Sequence, residues 1–148
     1  MRETRIVTSF LNHNNKILIL KRSNQVSSMK GLWSGISGII ENSELPIERA
    51  KQEIFEEVGI NSEDIILIKS NNAITVQSSN YKNQQWVIYP FFFKTTKNKI
   101  TLNWENSEFR WIDIKQLGEF NTVPNLEKVL FSVLYLCVFL IFSLLWEH

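Results

Sequence analysis

The chain has 148 residues, which is enough for one compact domain with a core and too few for two ordinary ones. It carries 16 Lys and Arg against 15 Asp and Glu, so no overall basic field draws it onto nucleic acid, and a polyanionic ligand has to be bound locally. One cysteine and two histidines exclude a disulfide framework, a Cys/His zinc site and a Cys/His nucleophile pair. Any chemistry must therefore rest on carboxylates.

The first elements are β-strands. The residue types predict strands at residues 5–11 and 16–22, and the Asn-rich cluster between them indicates a hairpin. A polar loop at residues 23–31 leads to a short strand at residues 34–40. The N-terminus lacks the apolar stretch and cleavage site of a secretory signal, so we expect a cytoplasmic protein.

One long helix occupies the middle of the chain. It begins at Pro46, because proline suits the first helical turn, and Gly59 ends it as a C-cap. The residues after this helix predict further strands at 64–69, 73–77, 85–94 and 109–112. Together with a second helix at the C-terminal end, this order predicts an α/β (α+β) fold in which a mixed sheet is sandwiched by helices.

The mid-chain helix carries a cluster of carboxylates. Glu53, Glu56 and Glu57 stand at i, i+3 and i+4, so their side chains are expected to converge on one helical face. Like charges at this spacing repel by a few tenths of a kcal/mol per pair, and a divalent cation with hard oxygen ligands removes the conflict. A solvated acidic face is the plainer interpretation of such a helix taken alone.

The wider context resembles the Nudix box, G-x5-E-x7-R-E-U-x-E-E-x-G-U, where U is aliphatic. Residues 38–60 match six of its fixed identities and both aliphatic positions, and a chance match at one start is of order 10⁻⁷. The matching identities are Gly38, Glu44, Glu53, Glu56, Glu57 and Gly59. The resemblance implies a Nudix-type α/β/α sandwich with a mixed β-sheet and a loop-helix-loop catalytic box, in a domain that spans residues 1–128.

The resemblance also implies a function. Nudix enzymes hydrolyse a phosphoanhydride bond in a nucleoside diphosphate linked to another group, and a nucleoside or deoxynucleoside triphosphate is the expected substrate here. By this resemblance Glu53, Glu56 and Glu57 become ligands of Mg²⁺, with Mn²⁺ as an alternative, and Glu53 orients or deprotonates water. Glu44 organises the loop or an outer shell, and Gly38 permits close approach of the backbone to the metal.

Members of this family often recruit a further carboxylate from a distant loop. Glu105 and Glu108 are the candidates, and Glu105 is preferred because it lies in the loop before the strand at 109–112. The substrate-binding candidates are less specific. Arg22 and Lys30 could bind phosphates or be ordinary surface charges, and Trp33, Trp86 and Trp111 could stack on a base or belong to the core.

One position departs from the pattern. Gln52 stands where the family has an arginine that orients and charge-pairs a box glutamate, and glutamine keeps the hydrogen bonding but loses the charge. Arg49 lies four residues before Glu53 on the same helical face and could partly substitute for it. The departure also leaves open a non-catalytic, nucleotide-binding regulatory module. The isomerases that share this fold use a catalytic cysteine, whereas Cys137 lies in an apolar tail.

That tail is the last distinctive segment. Residues 129–146 contain no charged side chain and would form a helix of about 27 Å, close to the ~30 Å of a bilayer core. A membrane tail anchor is therefore one prediction. The alternatives are a helix that begins by packing residues 129–136 on the domain and buries the rest in a homodimer, and a reading-frame artefact.

Overall fold

The computed structural model describes residues 2–77 and 83–134. Strands β1 (Arg2–His13) and β2 (Lys16–Arg22) are joined by Asn14 and Asn15, whose φ angles of 50° and 64° suit a two-residue hairpin turn. The predicted hairpin is confirmed. β1 begins earlier than the sequence indicates, because its first residues pair in parallel with a strand more than 80 positions later.

The remaining elements follow the predicted order, except that the single strand predicted at residues 34–40 is two short strands, at 33–34 and 36–39. Helix α1 begins at Pro46 and ends at Val58, and Gly59 adopts the left-handed conformation (φ 77°) that the sequence predicts for a C-cap. The other strands are β3 (Trp33–Ser34), β4 (Ile36–Ile39), β5 (Ile65–Ser70), β6 (Ile74–Gln77), β7 (Gln84–Thr95) and β8 (Asn106–Ile112). Residues 126–134 are helical and are called the C-terminal helical segment below.

The eight strands form one mixed sheet. Its main path runs β3-β2-β1-β7-β5, with β4 paired to β1, β6 to β7 and β8 to β2. The β1–β7 pair is parallel and the other pairs are antiparallel. β4 pairs with the middle of β1, so that Gly38 lies opposite Val7. This pairing places the glycine that opens the box against the centre of the sheet.

Helices cover both faces of the sheet. On the α1 face, Ala50, Ile54 and Val58 of the helix pack into a buried core with strand residues that include Val7, Leu18, Ile36 and Phe93. On the opposite, C-terminal face, strand residues that include Phe10, Ile19 and Phe92 pack against Leu126, Val129, Leu130 and Val133. The predicted α/β/α sandwich with a mixed sheet is therefore confirmed.

The start of the apolar tail belongs to this fold. Val129, Leu130, Val133 and Leu134 are buried in the C-terminal core, so the expected domain boundary at residue 128 falls inside a packed helix. The rest of the tail, from residue 135, lies outside the described residues. The predicted tail anchor and the predicted homodimer contact therefore concern residues that are for the most part not described. Within residues 2–77 and 83–134, no helix combines the length and the apolar character that a membrane crossing requires.

Candidate active site

Burial of the apolar stripe of α1 determines which carboxylates turn inward. Ala50, Ile54 and Val58 recur every four residues and face the core. Successive residues of a helix are rotated by about 100°, so Glu53 and Glu57, which directly precede Ile54 and Val58, lie beside this apolar stripe. Glu53 is 7% exposed and Glu57 is 3% exposed. Glu56 lies at the exposed edge of the same group, and its charge still raises the pKa of Glu53. The three glutamates therefore lie within one arc of the helix surface, but only Glu53 and Glu57 are buried.

Glu53 lies between the helix and strand β4. A Cβ atom at Gly38 would collide with the Glu53 carboxyl group, so glycine is required here for the glutamate to lie against the backbone. Arg49 Nη1 donates to Glu53 Oε1 at 3.1 Å. Burial raises the pKa of Glu53, the neighbouring Glu57 carboxyl group and the hydrogen bond from Arg49 lower it, and the negative charges of Glu56 and Glu105 raise it.

Glu57 is the most deeply buried acid of the site. Its Oε1 accepts a hydrogen bond of 3.0 Å from Asn106 Nδ2, while its Oε2 is buried and has no hydrogen-bond partner among the described residues. Burial raises its pKa well above the usual range, and the nearby charges of Glu105 and Glu53 add to that effect. A buried, unpaired carboxylate oxygen is unfavourable in the metal-free protein.

Glu105 completes the acidic cluster from the other side. It lies in the turn before β8, where Asn103 Oδ1 accepts from the Glu105 backbone N–H at 3.1 Å and the Ser23 N–H donates to the Glu105 carbonyl at 2.8 Å. Its charge acts on both Glu53 and Glu57. Glu108 instead forms an exposed ion pair with Lys21 at 3.4 Å. The geometry thus favours Glu105 as the additional carboxylate.

The remaining box residues form a second layer around this cluster. Glu44 accepts from its own loop, at the Glu41 N–H (2.8 Å), and from Arg49, whose hydrogen bond is the largest cause that lowers the pKa of Glu44. Gln52 Nε2 donates to Glu56 Oε1 at 2.9 Å. Glu44 therefore organises the loop before the helix, and Gln52 contacts Glu56 rather than Glu53.

The donors present suit a hard divalent cation. Buried carboxylates with raised pKa values and an unpaired oxygen on Glu57 are the groups whose burial a cation would compensate. Among the described residues, however, no three acidic groups already converge closely enough to hold an ion. Glu53, Glu56 and Glu57 hydrogen-bond to Arg49, Gln52 and Asn106. Side-chain rotation would have to accompany binding.

Comparison with known proteins decides the family. A family model described as the NUDIX domain matches residues 2–133. The chain belongs to the Nudix hydrolase family. An RNA pyrophosphohydrolase of Bartonella clarridgeiae is 27% identical, over 72% of this chain and 73% of that protein.

Solved structures share the fold of this Nudix hydrolase at low identity. A MutT protein from Methanosarcina mazei Go1 superposes with a TM-score of 0.69 at 17% identity, covering 84% of this chain and 87% of that one. A C. elegans Ap4A hydrolase gives a TM-score of 0.70 at 13% identity, covering 95% of this chain and 98% of that one.

The structure corrects one substrate-binding candidate of this Nudix hydrolase. Trp33 is 8% exposed and packs edge-on against Phe120 in the core of the C-terminal face, so it belongs to the core and offers no face to a base. Trp86 and Trp111 are also partly buried against the two cores. Arg22 Nη2 donates to the Ser28 carbonyl at 3.0 Å within its own loop, and Lys30 is exposed. Arg22 pairs across the sheet with Asn106, but its guanidinium hydrogen-bonds the Ser28 carbonyl and not a carboxylate of the acidic cluster among the described contacts.

The sequence did not identify Asn106. This amide is buried and is the described hydrogen-bond partner of Glu57, yet nothing in its surroundings marks it except its position directly after Glu105. The available sequence signal was the position of Asn106, an amide residue between the loop carboxylate Glu105 and the predicted strand at 109–112. Its effect depends on β8 packing beside the C-terminal end of α1, which only the tertiary fold shows.

Proposed function

We propose that this Nudix hydrolase is Mg²⁺-dependent and cleaves a phosphoanhydride bond in a nucleoside diphosphate derivative, with a nucleoside or deoxynucleoside triphosphate as the leading substrate class. The observation that carries the proposal is the buried pair Glu53 and Glu57 facing Glu105, with an unpaired oxygen on Glu57. In a purely structural helix such acids would be excluded from the interior, so their burial points to a ligand with positive charge.

We assign each residue a role from its surroundings. Glu53, Glu56 and Glu57 would hold the cation, which when bound offsets phosphate charge and lowers the pKa of a water molecule. Glu53 orients water and accepts its proton, and burial suits it to this because a raised pKa makes it a stronger base near neutral pH. The water oxygen forms a bond to phosphorus, the anhydride P–O bond breaks, and the leaving phosphate keeps the electron pair.

Glu105 has a supporting role in this proposal. Its backbone bonds to Asn103 and Ser23, and its partly buried carboxylate accepts a long hydrogen bond of 3.4 Å from Asn103 Nδ2. Breaking this one long bond would let the carboxylate move toward a cation or a water molecule. Asn106 is proposed to hold Glu57 in place through the 3.0 Å hydrogen bond. Removing either residue should weaken catalysis less than removing Glu53.

A substrate panel tests the proposal. Wild type and Glu53→Gln are incubated with Mg²⁺ and the four deoxynucleoside triphosphates, a dinucleoside tetraphosphate and 5′-triphosphorylated RNA. Released phosphate, pyrophosphate and nucleotide products are measured separately, because a dinucleoside tetraphosphate yields two nucleotides and neither inorganic ion. We expect Mg²⁺-dependent release by wild type alone. The RNA substrate also tests the expectation that no nucleic acid is a partner. Tight nucleotide binding without turnover on any substrate would favour the regulatory module that Gln52 leaves open.

A further inference from the structure

Position 52 does not do in this chain what the family pattern assigns to it. Gln52 is exposed, and its amide donates to Glu56 at 2.9 Å. Residues 52 and 56 are one turn apart and therefore neighbours on the helix surface, whereas residue 53 points about 100° away from residue 52. Gln52 thus hydrogen-bonds to the exposed Glu56, and a different residue must orient the buried Glu53.

Arg49 makes the contacts that orient Glu53. Its Nη1 donates to Glu53 at 3.1 Å, while its Nε and Nη2 donate to the two oxygens of Glu44 at 3.1 and 2.7 Å. The guanidinium is thereby held in a two-pronged bond to Glu44, which is itself fixed by the Glu41 N–H. The side chains of Arg49 and Glu53 are only 15% and 10% exposed, so solvent screens this pair little.

We propose that Arg49 is the positioning residue for Glu53, and that the arginine function of the box has moved one helical turn toward the N-terminus. This inference rests on the proposed function. Only a planar guanidinium can bond both oxygens of Glu44 and still reach a second carboxylate, so lysine at position 49 cannot reproduce the arrangement. Glu44 acts through Arg49: it fixes the plane of the guanidinium and has no direct bond to Glu53.

The test compares Arg49→Gln, Arg49→Lys, Glu44→Gln and the double variant Arg49→Gln/Glu44→Gln. Lys51→Gln is the matched control, because Lys51 is exposed on the same helix and carries the same charge. We expect Arg49→Gln to lower kcat about 10- to 100-fold, with KM changed less. The kcat of Arg49→Lys should lie between those of wild type and Arg49→Gln, and the kcat of Lys51→Gln should equal that of wild type. The double variant should be no slower than Arg49→Gln, because Glu44 acts through Arg49.

A structural readout keeps the test independent of turnover. In crystal structures of the metal-free proteins, the Glu53 carboxylate should occupy one conformer against Gly38 in wild type and several conformers in Arg49→Gln. If wild type hydrolyses nothing, the proposed function fails and this comparison still decides the role of Arg49. Should Arg49→Gln not fold, Arg49→Lys decides it. Wild-type kcat together with an ordered Glu53 in Arg49→Gln, or in Arg49→Lys, would overturn the proposal.

Discussion

The two faces of the sheet are both covered by helix, yet only one of them buries charge. On the C-terminal face, apolar side chains such as Phe92, Leu130 and Val133 form the core. On the α1 face, the apolar core is bordered by Glu53 and Glu57, which are the buried charged residues among those described. The C-terminal face shows that this sheet can be covered with apolar contacts alone. We therefore attribute the burial of acids on the other face to the proposed function rather than to stability.

Neutralising Glu53, the proposed reactive residue of the α1 face, should have the largest effect on activity. Glu53→Gln should lower kcat by about 10² to 10⁴, because it removes a proton acceptor and a charge that holds the cation. Its volume is nearly unchanged, so the melting temperature should not fall. Steady-state kinetics with Mg²⁺ and thermal unfolding measure both quantities. Glu108→Gln, which removes an exposed charge paired to Lys21, is the control. Wild-type kcat in Glu53→Gln would remove Glu53 from the mechanism.

The C-terminal face should respond in the opposite way. Leu130→Ala removes a side chain that is 1% exposed, and we expect a loss of about 2 to 5 kcal/mol in the free energy of unfolding. The kcat of the folded fraction should stay unchanged, since Glu53 and Glu57 lie beside the apolar stripe of α1, which packs on the other face of the sheet. Denaturant unfolding and activity measure the two effects, with the exposed Lys128→Ala as control. A fall in kcat without loss of stability would contradict the division between faces.

Charge on the α1 face should also make stability depend on pH. The pKa of Glu57 is raised above 4.5 in the folded protein, so the folded state binds this proton more tightly than the unfolded chain. Its contribution to the stability of the metal-free protein is greatest below about pH 4.5 and is lost as the pH rises through the folded pKa.

Glu57→Gln should therefore stabilise the metal-free protein at neutral pH, by about 1 to 3 kcal/mol. The gain should vanish below pH 4.5, where wild-type Glu57 is already protonated. Unfolding free energies of wild type and variant, measured across pH without metal, give this difference directly. A variant less stable than wild type at pH 7 would show that the Glu57 carboxylate is stabilised in the folded protein by a partner.

The smallest expected effect is the difference in kcat between Glu105→Gln and Glu108→Gln, the variants of the two loop carboxylates. Glu105→Gln should lower kcat about 10- to 100-fold, because Glu105 acts on the buried pair. Glu108→Gln should leave kcat unchanged and alter stability by less than about 1 kcal/mol, as expected for an exposed ion pair. The two variants are compared in the same assay. Equal losses, or a larger loss for Glu108→Gln, would reverse the assignment.

Much of the fold follows from local sequence signals. The Asn pair of the hairpin, Pro46 and Gly59 set the ends of their elements by backbone geometry, and the strands were placed to within a few residues. The parallel pairing of β1 with β7 could not be predicted, because it joins segments that are far apart in the chain. β8 also begins three residues before the predicted strand, where Asn106 pairs with Arg22.

The sequence predicted the site only in part, because part of the site depends on contacts between segments that are far apart in the chain. Spacing places the glutamates on α1, but the inward turn of Glu53 and Glu57 follows from the apolar stripe at Ile54 and Val58, which fixes the rotation of the helix. The role of Asn106 requires tertiary contacts that no local pattern encodes. Trp33 fits either a binding residue or a core residue by composition, and its contact with Phe120 settles that choice.

A bound cation should relieve the unfavourable burial of charge on the α1 face, and the stability of the protein should therefore depend on Mg²⁺. The unfolding free energies of wild type and Glu57→Gln are determined at pH 7 over a series of Mg²⁺ concentrations. We predict that wild type, less stable without metal, gains about 1.4 kcal/mol for each tenfold rise of Mg²⁺ above its Kd. Glu57→Gln should begin more stable and gain much less. If Mg²⁺ did not stabilise wild type, or if it raised the unfolding free energy of both proteins equally, Glu57 would not be a ligand of the cation.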